Sequence, residues 1–532
     1  MCYAWRLGSV FVLQRLIQTP AEGCPMSISK KCDRIGANVR QRSRSVTNER
    51  WQIASKLIFL NVLLIGLPTI VCYYCLKLGN ISLKWLHVSL VVLYLTSAAM
   101  LIAESTSAVT RRFASQVWFP LSWPDTVKHQ LKKILGMRGA ALPVQGQPLP
   151  RCSFIVAAYL PNEQSIILET LDHLLNRVHQ PEAGLEVILA YNTPVALPME
   201  HTLTRLARKY PNFRPYRVEG SHSKAENINA ALTIVTGDIT CILDADHHPA
   251  PDCFERAGRW IAHGYDVVQG RNMIRNRDEN LLTRLVAVEF ESIYGVSHSA
   301  KSLMVDTALF GGSNGYWRTS VLQQIRFNPT MLTEDIDASI RTLLQGYRIV
   351  HDRSITVTEL APNHISAFWS QRKRWSQGWL EVSLRYQKRF WKSPQLTVGQ
   401  KLVWTHLLYY RELFPLLSVQ ILPIVFSSWL LTGTVQFTDN AFLLLATGIT
   451  FLSSLYKLVV TAKVGYRHYP SYYFVQYALL TPFYALFKNM IAVVALYDHL
   501  HGKADWVVTP RDVAPAAANF DNVYGLPEAA RL

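Results

Sequence analysis

The chain has 532 residues, 49% of them hydrophobic and 17% charged, with a formal net charge of +17. This length exceeds one compact domain, and the composition fits a soluble domain joined to a membrane region. The cations flank hydrophobic segments and are not gathered on one helix or stripe, so we do not expect nucleic-acid binding. The cysteines predict neither a disulfide framework nor a zinc site, since the Cys72-x-x-Cys75 pair lies inside an apolar run.

The first 150 residues predict a basic tail, a membrane hairpin and a linker. Residues 1–54 are polar and basic, which indicates a disordered tail. Residues 55–105 hold apolar runs at 57–78 and 86–103, long enough for a transmembrane helical hairpin. Residues 106–150 indicate an interfacial segment and a proline-punctuated linker. Two spans return the chain to its starting side, and both flanks are rich in Lys and Arg, so we expect both flanks in the cytoplasm.

Residues 151–392 have the pattern of a soluble α/β domain. Short apolar runs predict buried strands, and amphipathic stretches between them predict helices. The alternation indicates a mostly parallel sheet with its site at the carboxyl ends of the strands. The predicted strands lie at 153–158, 186–190, 239–243 and 267–269, and the predicted helices include 163–175 and 225–235.

Two carboxylates follow the third predicted strand. Asp244 and Asp246 are two residues apart, and His247 comes next. Paired carboxylates at a strand end suit Mg²⁺ or Mn²⁺ held together with a diphosphate, and an imidazole would favour manganese. A solvated loop after a strand is the alternative for this motif taken alone.

Two further motifs carry groups that suit sugar chemistry. In Thr333-Glu334-Asp335, Thr333 fits a helix N-cap, and acids in a first turn are also ordinary partners of the helix dipole. Asp335 is our candidate general base for a sugar hydroxyl.

The second of these motifs is Gln371-Arg372-Lys373-Arg374-Trp375. On a helix, Gln371 and Trp375 share a face with Arg374 beside them. The arginine can clamp a pyrophosphate and the indole can stack on a sugar ring. The alternative is an amphipathic helix on a membrane surface. The two interpretations are compatible, because Arg372 and Lys373 point in other directions than Arg374.

Residues 393–500 return to membrane character. Apolar runs at 413–431 and 441–458 predict two spans. The apolar stretch 472–500 contains Lys488 and is long for one helix but short for two, which leaves spanning, bent and interfacial placements open.

These motifs in this order resemble the processive membrane glycosyltransferases of family 2, which include the cellulose, chitin and hyaluronan synthases. The resemblance covers roughly residues 55–512. It implies an α/β GT-A (nucleotide-sugar transferase) domain inserted between α-helical transmembrane segments. It also implies that Asp335 is the catalytic base and that Asp244, Asp246 and His247 bind metal, which would be Mg²⁺ or Mn²⁺.

The resemblance assigns the remaining residues to the donor and the acceptor. Three shorter stretches also fit the family: 157–163, 224–229 and the glycine loop 311–315. The residues implied for nucleotide-sugar binding are Glu163, Lys224, Asp244, Gln371 and Arg374. Those implied for acceptor binding are Gly312, Glu334 and Trp375.

Residues 501–532 form a predicted C-terminal tail with a possible gating loop. The run 506–511 resembles the loop that closes over the nucleotide in cellulose synthases, with Trp506, Thr509 and Arg511 in its key positions. A cytoplasmic loop requires an even number of spans after the transferase domain. We therefore favour two full spans there, with 472–500 interfacial or re-entrant.

The resemblance implies an inverting, metal-dependent hexosyltransferase. It would use UDP-glucose or UDP-N-acetylglucosamine to extend and extrude a β-linked polysaccharide, with its catalytic domain on the cytoplasmic side of the plasma membrane. The second strand ends in Tyr191-Asn192. The family usually has an Asp at this place that contacts uracil, so the expectation of UDP as the carrier lacks the support of this residue. The alternatives are a non-processive transferase that adds one sugar to a membrane lipid, and a catalytically dead scaffold or carbohydrate-binding channel. The sequence predicts no oligomeric state.

Overall fold

The computed structural model describes residues 55, 58–79, 83–112, 148–434, 441–465 and 469–502. The chain divides into two compact units, Met1–Val62 and Leu63–Leu532, and the features below belong to the second unit. The predicted basic tail, most of the predicted linker and the predicted gating residues Trp506, Thr509 and Arg511 lie outside the described residues.

The described residues form an eight-stranded mixed sheet at the centre of the domain. The strand order is β3-β2-β1-β4-β7-β6-β8-β5. Neighbours β3 to β4 are parallel, as are β6 and β8, whereas β7 runs antiparallel to both β4 and β6. The strands are β1 Cys152–Tyr159, β2 Leu185–Asn192, β3 Phe213–Arg217, β4 Ile239–Asp244, β5 His248–Pro249, β6 Val267–Ile274, β7 Gly315–Arg318 and β8 Ile349–Glu359.

Helices pack on both faces of this sheet and continue into the apolar region. A π-helical segment, Glu291–His298, joins α8 to α9. The helices are α1 Ile58–Leu78, α2 Lys84–Arg112, α3 Leu160–Glu163, α4 Ile167–Asn176, α5 Pro198–Lys209, α6 Lys224–Ala231, α7 Cys253–Ala262, α8 Leu281–Phe290, α9 Ser299–Val305, α10 Thr319–Ile325, α11 Glu334–Leu344, α12 Ile365–Lys392, α13 Val398–Thr405, α14 Arg411–Ser418, α15 Ile421–Thr432, α16 Ala441–Val464 and α17 Ser471–Leu500.

The continuous apolar strands have a simple cause. In β1, residues from Cys152 to Ala158 are all buried, with alternate side chains entering separate cores on the two faces of the sheet. A strand covered on both faces needs apolar residues at every position. All four predicted strands and the predicted α/β class are therefore confirmed, each within a few residues of its predicted bounds.

Four helices are long and apolar enough to cross a membrane by length and composition: Ile58–Leu78, Lys84–Val109, Ala441–Val464 and Ser471–Leu500. Within the second unit, α2 packs along α16, and the part of α1 from Leu67 onward packs against α15. Their other faces expose large apolar side chains such as Trp85, Phe442 and Phe451. Such surfaces suit a lipid environment.

The predicted span over 413–431 is not one continuous helix. Two helices, α14 and α15, occupy this stretch and meet at a turn at Val419 and Gln420. Pro423 stands in the first turn of α15 and has no N–H to donate to the carbonyl of Val419, which lies four residues earlier. The helical ladder therefore breaks just before this proline, and the apolar stretch Leu416–Thr432, which includes the turn, is shorter than the four candidate spans.

Candidate active site

Every predicted site residue that the structure describes lines one cavity. Its volume is about 680 Å³ and it opens at the carboxyl ends of β1, β2 and β4. The predicted residues on its wall are Glu163, Lys224, Asp244, Asp246, His247, Gly312, Glu334, Asp335, Gln371, Arg374 and Trp375.

Lys224 links the two sides of this cavity. It occupies the first turn of α6, whose N-cap Ser223 accepts a hydrogen bond from the Glu226 N–H. Its ammonium forms an ion pair with Asp244 at the end of β4 and donates a 2.7 Å hydrogen bond to the Gly312 carbonyl. Burial lowers the pKa of Lys224, but the carboxylates of Asp244, Glu334 and Asp335 together more than offset this and the net shift is upward. A fixed cation therefore stands between the strand end and the glycine loop.

The short antiparallel strand β7 brings the glycine loop to this edge. β7 begins at Gly315 and pairs with β4, so the loop that precedes it returns to the end of β4. There the Asp244 N–H donates to Ser313 Oγ over 3.1 Å. Gly312 has φ +86°, and a Cβ on it would lie 3.1 Å from Asp335 Oδ2. Only glycine adopts this backbone freely while leaving room for the carboxylate.

Asp246 and His247 are held by a buried carboxylate network. His247 Nδ1 lies 3.1 Å from Asp246 Oδ1, and its Nε2 lies 2.9 Å from Glu359 Oε2. Asp246 Oδ2 accepts a 3.0 Å hydrogen bond from the Leu360 N–H. Burial opposes charge on the imidazole, but the two carboxylates raise the pKa of His247 to about 10. Coordination of a metal by His247 would require one of these contacts to break.

The carboxylates of Asp244 and Asp246 supply only part of a metal site. In the part of the chain that the structure describes, no group of three or more His, Cys, Asp or Glu side chains is arranged to hold a metal ion. Asp244 does hold a cation, the Lys224 ammonium, against its carboxylate. Hard divalent cations take carboxylate and phosphate oxygens, so Asp244 and Asp246 fit Mg²⁺ or Mn²⁺ if a bound diphosphate supplies the other ligands.

Asp335 opens α11 and faces the glycine loop. Its Oδ1 accepts a 2.9 Å hydrogen bond from the Ile336 N–H, and its backbone carbonyl accepts one from Ser339 Oγ. Thr333 occupies the N-cap position as predicted, but its hydroxyl does not cap the helix. The hydroxyl instead packs against α12, where a Cβ on Gly378 would lie 2.7 Å from Thr333 Oγ1.

The carboxyl of Asp335 is electrostatically suited to proton transfer near neutral pH. Burial and, after it, the charge of neighbouring Glu334 raise its pKa to about 7, while Lys224 and Arg374 act in the opposite direction. A general base works best when its pKa lies near the operating pH. Asp335 thus combines a position on the cavity wall with a suitable pKa.

Helix α12 presents Gln371, Arg374 and Trp375 to the cavity. The charged groups of Arg372 and Lys373 are directed elsewhere, as predicted, but they do not face solvent. Arg372, which also borders the cavity, forms a buried ion pair with Glu289. Lys373 pairs with Asp498 of α17 over 2.8 Å.

Some wall residues were missed by the sequence reasoning. Glu359 ends β8 and accepts a 2.7 Å hydrogen bond from Asn272 Nδ2, and Tyr294 and His499 line the cavity from helical segments. Glu359 carried a usable signal, because a strand parallel to β6 ends at the same edge of the sheet. His499 carried none, since its place depends on how α17 packs.

Residues 239–488 match the family model described as Glycosyl transferase family group 2. The chain carries a glycosyltransferase family 2 domain. The matched range holds β4 with its carboxylates, α11 and α12, and the predicted GT-A fold with flanking apolar helices is confirmed.

Named relatives share this domain at modest identity. Glucomannan 4-beta-mannosyltransferase 1 of Oryza sativa subsp. japonica is 26% identical over 37% of this chain, and the match spans only 38% of that relative's length. Poly-beta-1,6-N-acetyl-D-glucosamine synthase of Staphylococcus epidermidis is 26% identical over 58% of this chain and 71% of its own length. The solved mannosyltransferase PcManGT of Pyrobaculum calidifontis, in complex with GDP-Man and Mn²⁺, covers 71% of this chain and 99% of its own, at 20% identity and a TM-score of 0.46.

Proposed function

We propose that this protein is an inverting glycosyltransferase that transfers a sugar from a nucleoside diphosphate donor to a growing β-linked polysaccharide. One observation carries the proposal: three motifs spread over residues 244–375 of the sequence line one cavity, with Asp335 among them. A catalytically dead scaffold has no need of a buried carboxyl whose pKa is raised to about 7.

Asp335 takes the proton from the acceptor hydroxyl in the proposed reaction. The hydroxyl oxygen forms a bond to the anomeric carbon of the donor as the bond from that carbon to the diphosphate oxygen breaks. The nucleoside diphosphate leaves from the opposite face, so an α-linked donor yields a β-glycoside. This in-line geometry needs the base and the diphosphate site on opposite sides of the sugar.

The diphosphate site consists of Lys224 and Arg374, with Gln371 beside them. Both cations lie close enough to lower the pKa of Asp335, and both suit the charge that develops on the leaving group. A divalent metal held by Asp244 and Asp246 would neutralise part of the same charge when bound. Glu163 lines the opposite, β1 side of the cavity and is proposed to contact the nucleotide.

The acceptor site consists of Trp375, Glu334 and Gly312. An indole provides a flat apolar face for a sugar ring, and glycine permits close backbone approach. Retention of the product at Trp375 between successive transfers would favour a processive enzyme. Relatives named as polymer synthases support this over the addition of a single sugar to a lipid.

The proposed membrane arrangement has α17 lying along the domain rather than crossing the bilayer. Composition makes α17 a candidate span, but it contacts the domain throughout its length. Tyr473 donates to Asp278, Tyr484 donates to Glu289, and Asp498 pairs with Lys373. From 473 to 498 a helix rises about 38 Å, whereas a spanning helix would leave the domain within one or two turns.

This arrangement leaves the domain and the segment after Gly502 on one side, proposed to be the cytoplasmic side of the plasma membrane. The first hairpin returns the chain to that side, and so does the pair formed by the apolar stretch Leu416–Thr432 and α16. Gly502 and His499 line the cavity, so this described part of the chain ends at its wall. This supports a gating role for Trp506, Thr509 and Arg511.

A nucleotide-release assay tests the proposed function. Purified protein in detergent is incubated with UDP-glucose, UDP-N-acetylglucosamine and GDP-mannose, each with Mn²⁺ or Mg²⁺, and release of UDP or GDP is measured. We expect release from one donor class in wild type and not in Asp335→Asn. Absence of release from every donor, or equal release by the variant, would contradict the proposal.

A further inference from the structure

Glu289 lies behind the acceptor wall and reaches the cavity only through its neighbours. It is buried in the last turn of α8, with 3% of its surface exposed. One oxygen, Oε2, accepts from Arg372 over 2.6 Å and from Tyr484 over 2.7 Å, and the other, Oε1, accepts from Lys488. We call Glu289, Arg372, Tyr484 and Lys488 the Glu289 cluster.

Arg372 connects this cluster to Trp375 on the cavity wall. Its guanidinium carbon lies 4.6 Å from the centre of the Trp375 ring, and it also packs against the rings of Phe368 and Phe290. A guanidinium on an indole face is held by cation–π attraction. Because Glu289 fixes the guanidinium, and the guanidinium packs on the indole, the position of Trp375 depends on Glu289.

From these contacts we infer that Glu289 is a positioning residue for the acceptor, acting on Trp375 through Arg372. The inference rests on the proposed function, in which Trp375 binds the acceptor. Loss of the Glu289 charge would leave two cations, the buried Arg372 and the partly exposed Lys488, without their shared carboxylate. Their repulsion would move Arg372 away from its place against the indole.

The same cluster ties the acceptor wall to α17. Tyr484 and Lys488 both belong to α17, and Phe487 between them packs against Phe368 and Trp369 of α12. A shift of α17 would therefore change the position of the Trp375 side chain. Two of the donor residues, Lys224 and Asp244, are instead held by each other and by the glycine loop, so nucleotide binding should change much less than acceptor binding.

A second buried carboxylate offers a matched control. Glu104 of α2 accepts from Lys301 over 2.5 Å, from Ser297 over 2.6 Å and from Lys457 over 3.3 Å. It therefore has the same make-up as Glu289: one buried carboxylate, two cations and one hydroxyl. Its partners lie on α9, the π-helical segment and α16 rather than on α12.

The test compares Glu289→Gln with Glu104→Gln. Purified wild type and both variants are assayed with the preferred donor for nucleotide release by donor hydrolysis, for nucleotide Kd, and for the KM of β-1,4-linked glucose and mannose hexasaccharides. We expect Glu289→Gln to raise the hexasaccharide KM about tenfold, the loss of a partly desolvated cation–π contact, and to shorten the products. The rate of donor hydrolysis and the nucleotide Kd should change by less than about twofold, because the lost cation–π contact involves the acceptor residue Trp375. Glu104→Gln should leave the hexasaccharide KM unchanged.

Two further variants keep the inference falsifiable if Glu289→Gln folds poorly. Glu289→Gln combined with Lys488→Met preserves the net charge of the cluster and should restore folding while the KM stays high. Glu289→Asp retains a carboxylate and should recover most of the acceptor affinity. A double variant with a wild-type KM, or equal effects in the Glu289 and Glu104 variants, would overturn the inference.

The two proposals fail in different ways. If wild type releases no nucleotide from any donor, the proposed function is wrong and this inference falls with it. If wild type is active and Glu289→Gln has a normal acceptor KM and normal product length, only the role of Glu289 is wrong.

Discussion

Single side chains at the cavity explain why this site suits glycosyl transfer. Lys224 forms an ion pair with Asp244 and faces the glycine loop, while Asp335 lies beyond Gly312 with a pKa raised to about 7. A cation for the leaving group and a base for the acceptor thereby border the same cavity. Motif spacing predicted these residue types, but the pKa of Asp335 follows from its burial and its charged neighbours.

Asp335→Asn should lower turnover by about 10²–10⁴-fold, the usual cost of losing a general base. Nucleotide Kd should remain close to that of wild type, because the cations and Asp244 are unchanged. Turnover is measured by nucleotide release and Kd by calorimetry. Wild-type turnover in the variant would remove Asp335 from the mechanism.

The pH dependence should report the same carboxyl. A base is active when ionised, so kcat/KM should rise with pH through about 7 and level off above it. The effect on stability has the opposite sign. The pKa of Asp335 in the folded state exceeds the ordinary value of 3.8. The carboxyl group therefore makes its full favourable contribution to the free energy of unfolding below pH 3.8, and this contribution is lost as pH rises through about 7. Asp335→Asn should therefore raise Tm at pH 8 and leave it nearly unchanged below pH 4, and a flat difference across this range would refute the shift.

Gly312→Ala should reduce activity at least about tenfold while the protein stays folded, since a Cβ there is strained and crowds the Asp335 carboxylate. Gly264→Ala is the matched control. Gly264 has the same φ of +86°, but nothing lies within 4 Å of the place that its Cβ would take. Equal losses of activity in the two variants would show that backbone strain, rather than crowding of Asp335, is responsible.

Secondary-structure elements were predictable where one periodic signal dominated. The strands β1, β2 and β4 and the start of β6 are mostly apolar because both faces of the sheet are covered. β7 is only four residues long and follows a glycine loop, so its antiparallel insertion left no periodic trace. The break at Val419 was missed because hydropathy does not register the backbone effect of Pro423.

For the cavity too, some residues were predictable from local sequence pattern and others only from the tertiary structure. Asp244 stands at a strand end and Asp335 in the first turn of a helix, and Gln371 to Trp375 share one helix, all of which sequence pattern could locate. Glu289 and Asp498 carry no such signal, since their roles come from the packing of α17 on α8 and α12. Only tertiary structure brings these distant carboxylates to the cations of α12.

Cysteine labelling can test the placement of α17. With the labelling of the unchanged protein subtracted, Ser471→Cys and Leu500→Cys in sealed vesicles should both react with an impermeant maleimide from the side that labels Thr193→Cys on the domain. Thr434→Cys, in the exposed turn after α15, should react only from the other side. Reaction of Ser471→Cys and Leu500→Cys from opposite sides would show that α17 spans.

At the scale of the whole molecule, the candidate membrane helices and the α/β domain are joined through ion pairs to buried carboxylates. Glu104 ties α2 and α16 to α9, and Glu289 ties α17 to α8 and α12. Buried pairs of this kind fix geometry more than they add stability. The proposed acceptor wall is thus attached to α17 through Glu289.

Metal binding should require the nucleotide. Among the described residues no three-ligand protein site exists, so Mn²⁺ alone should bind weakly, and addition of the nucleoside diphosphate should tighten binding. Calorimetry with Mn²⁺, with and without UDP or GDP, measures this, and Asp244→Asn should weaken the nucleotide-dependent part. Tight binding of Mn²⁺ alone, or full activity in excess chelator, would contradict a metal site completed by the diphosphate.

The size and anomeric configuration of the product give the most direct test of the proposed polysaccharide synthesis. Wild-type protein in lipid vesicles is given its preferred donor labelled at the anomeric carbon, and the product is sized by gel filtration and examined by NMR. We expect a long polysaccharide with β-glycosidic linkages throughout. A single sugar on a lipid, or α-linkages formed from an α-linked donor, would contradict the proposal.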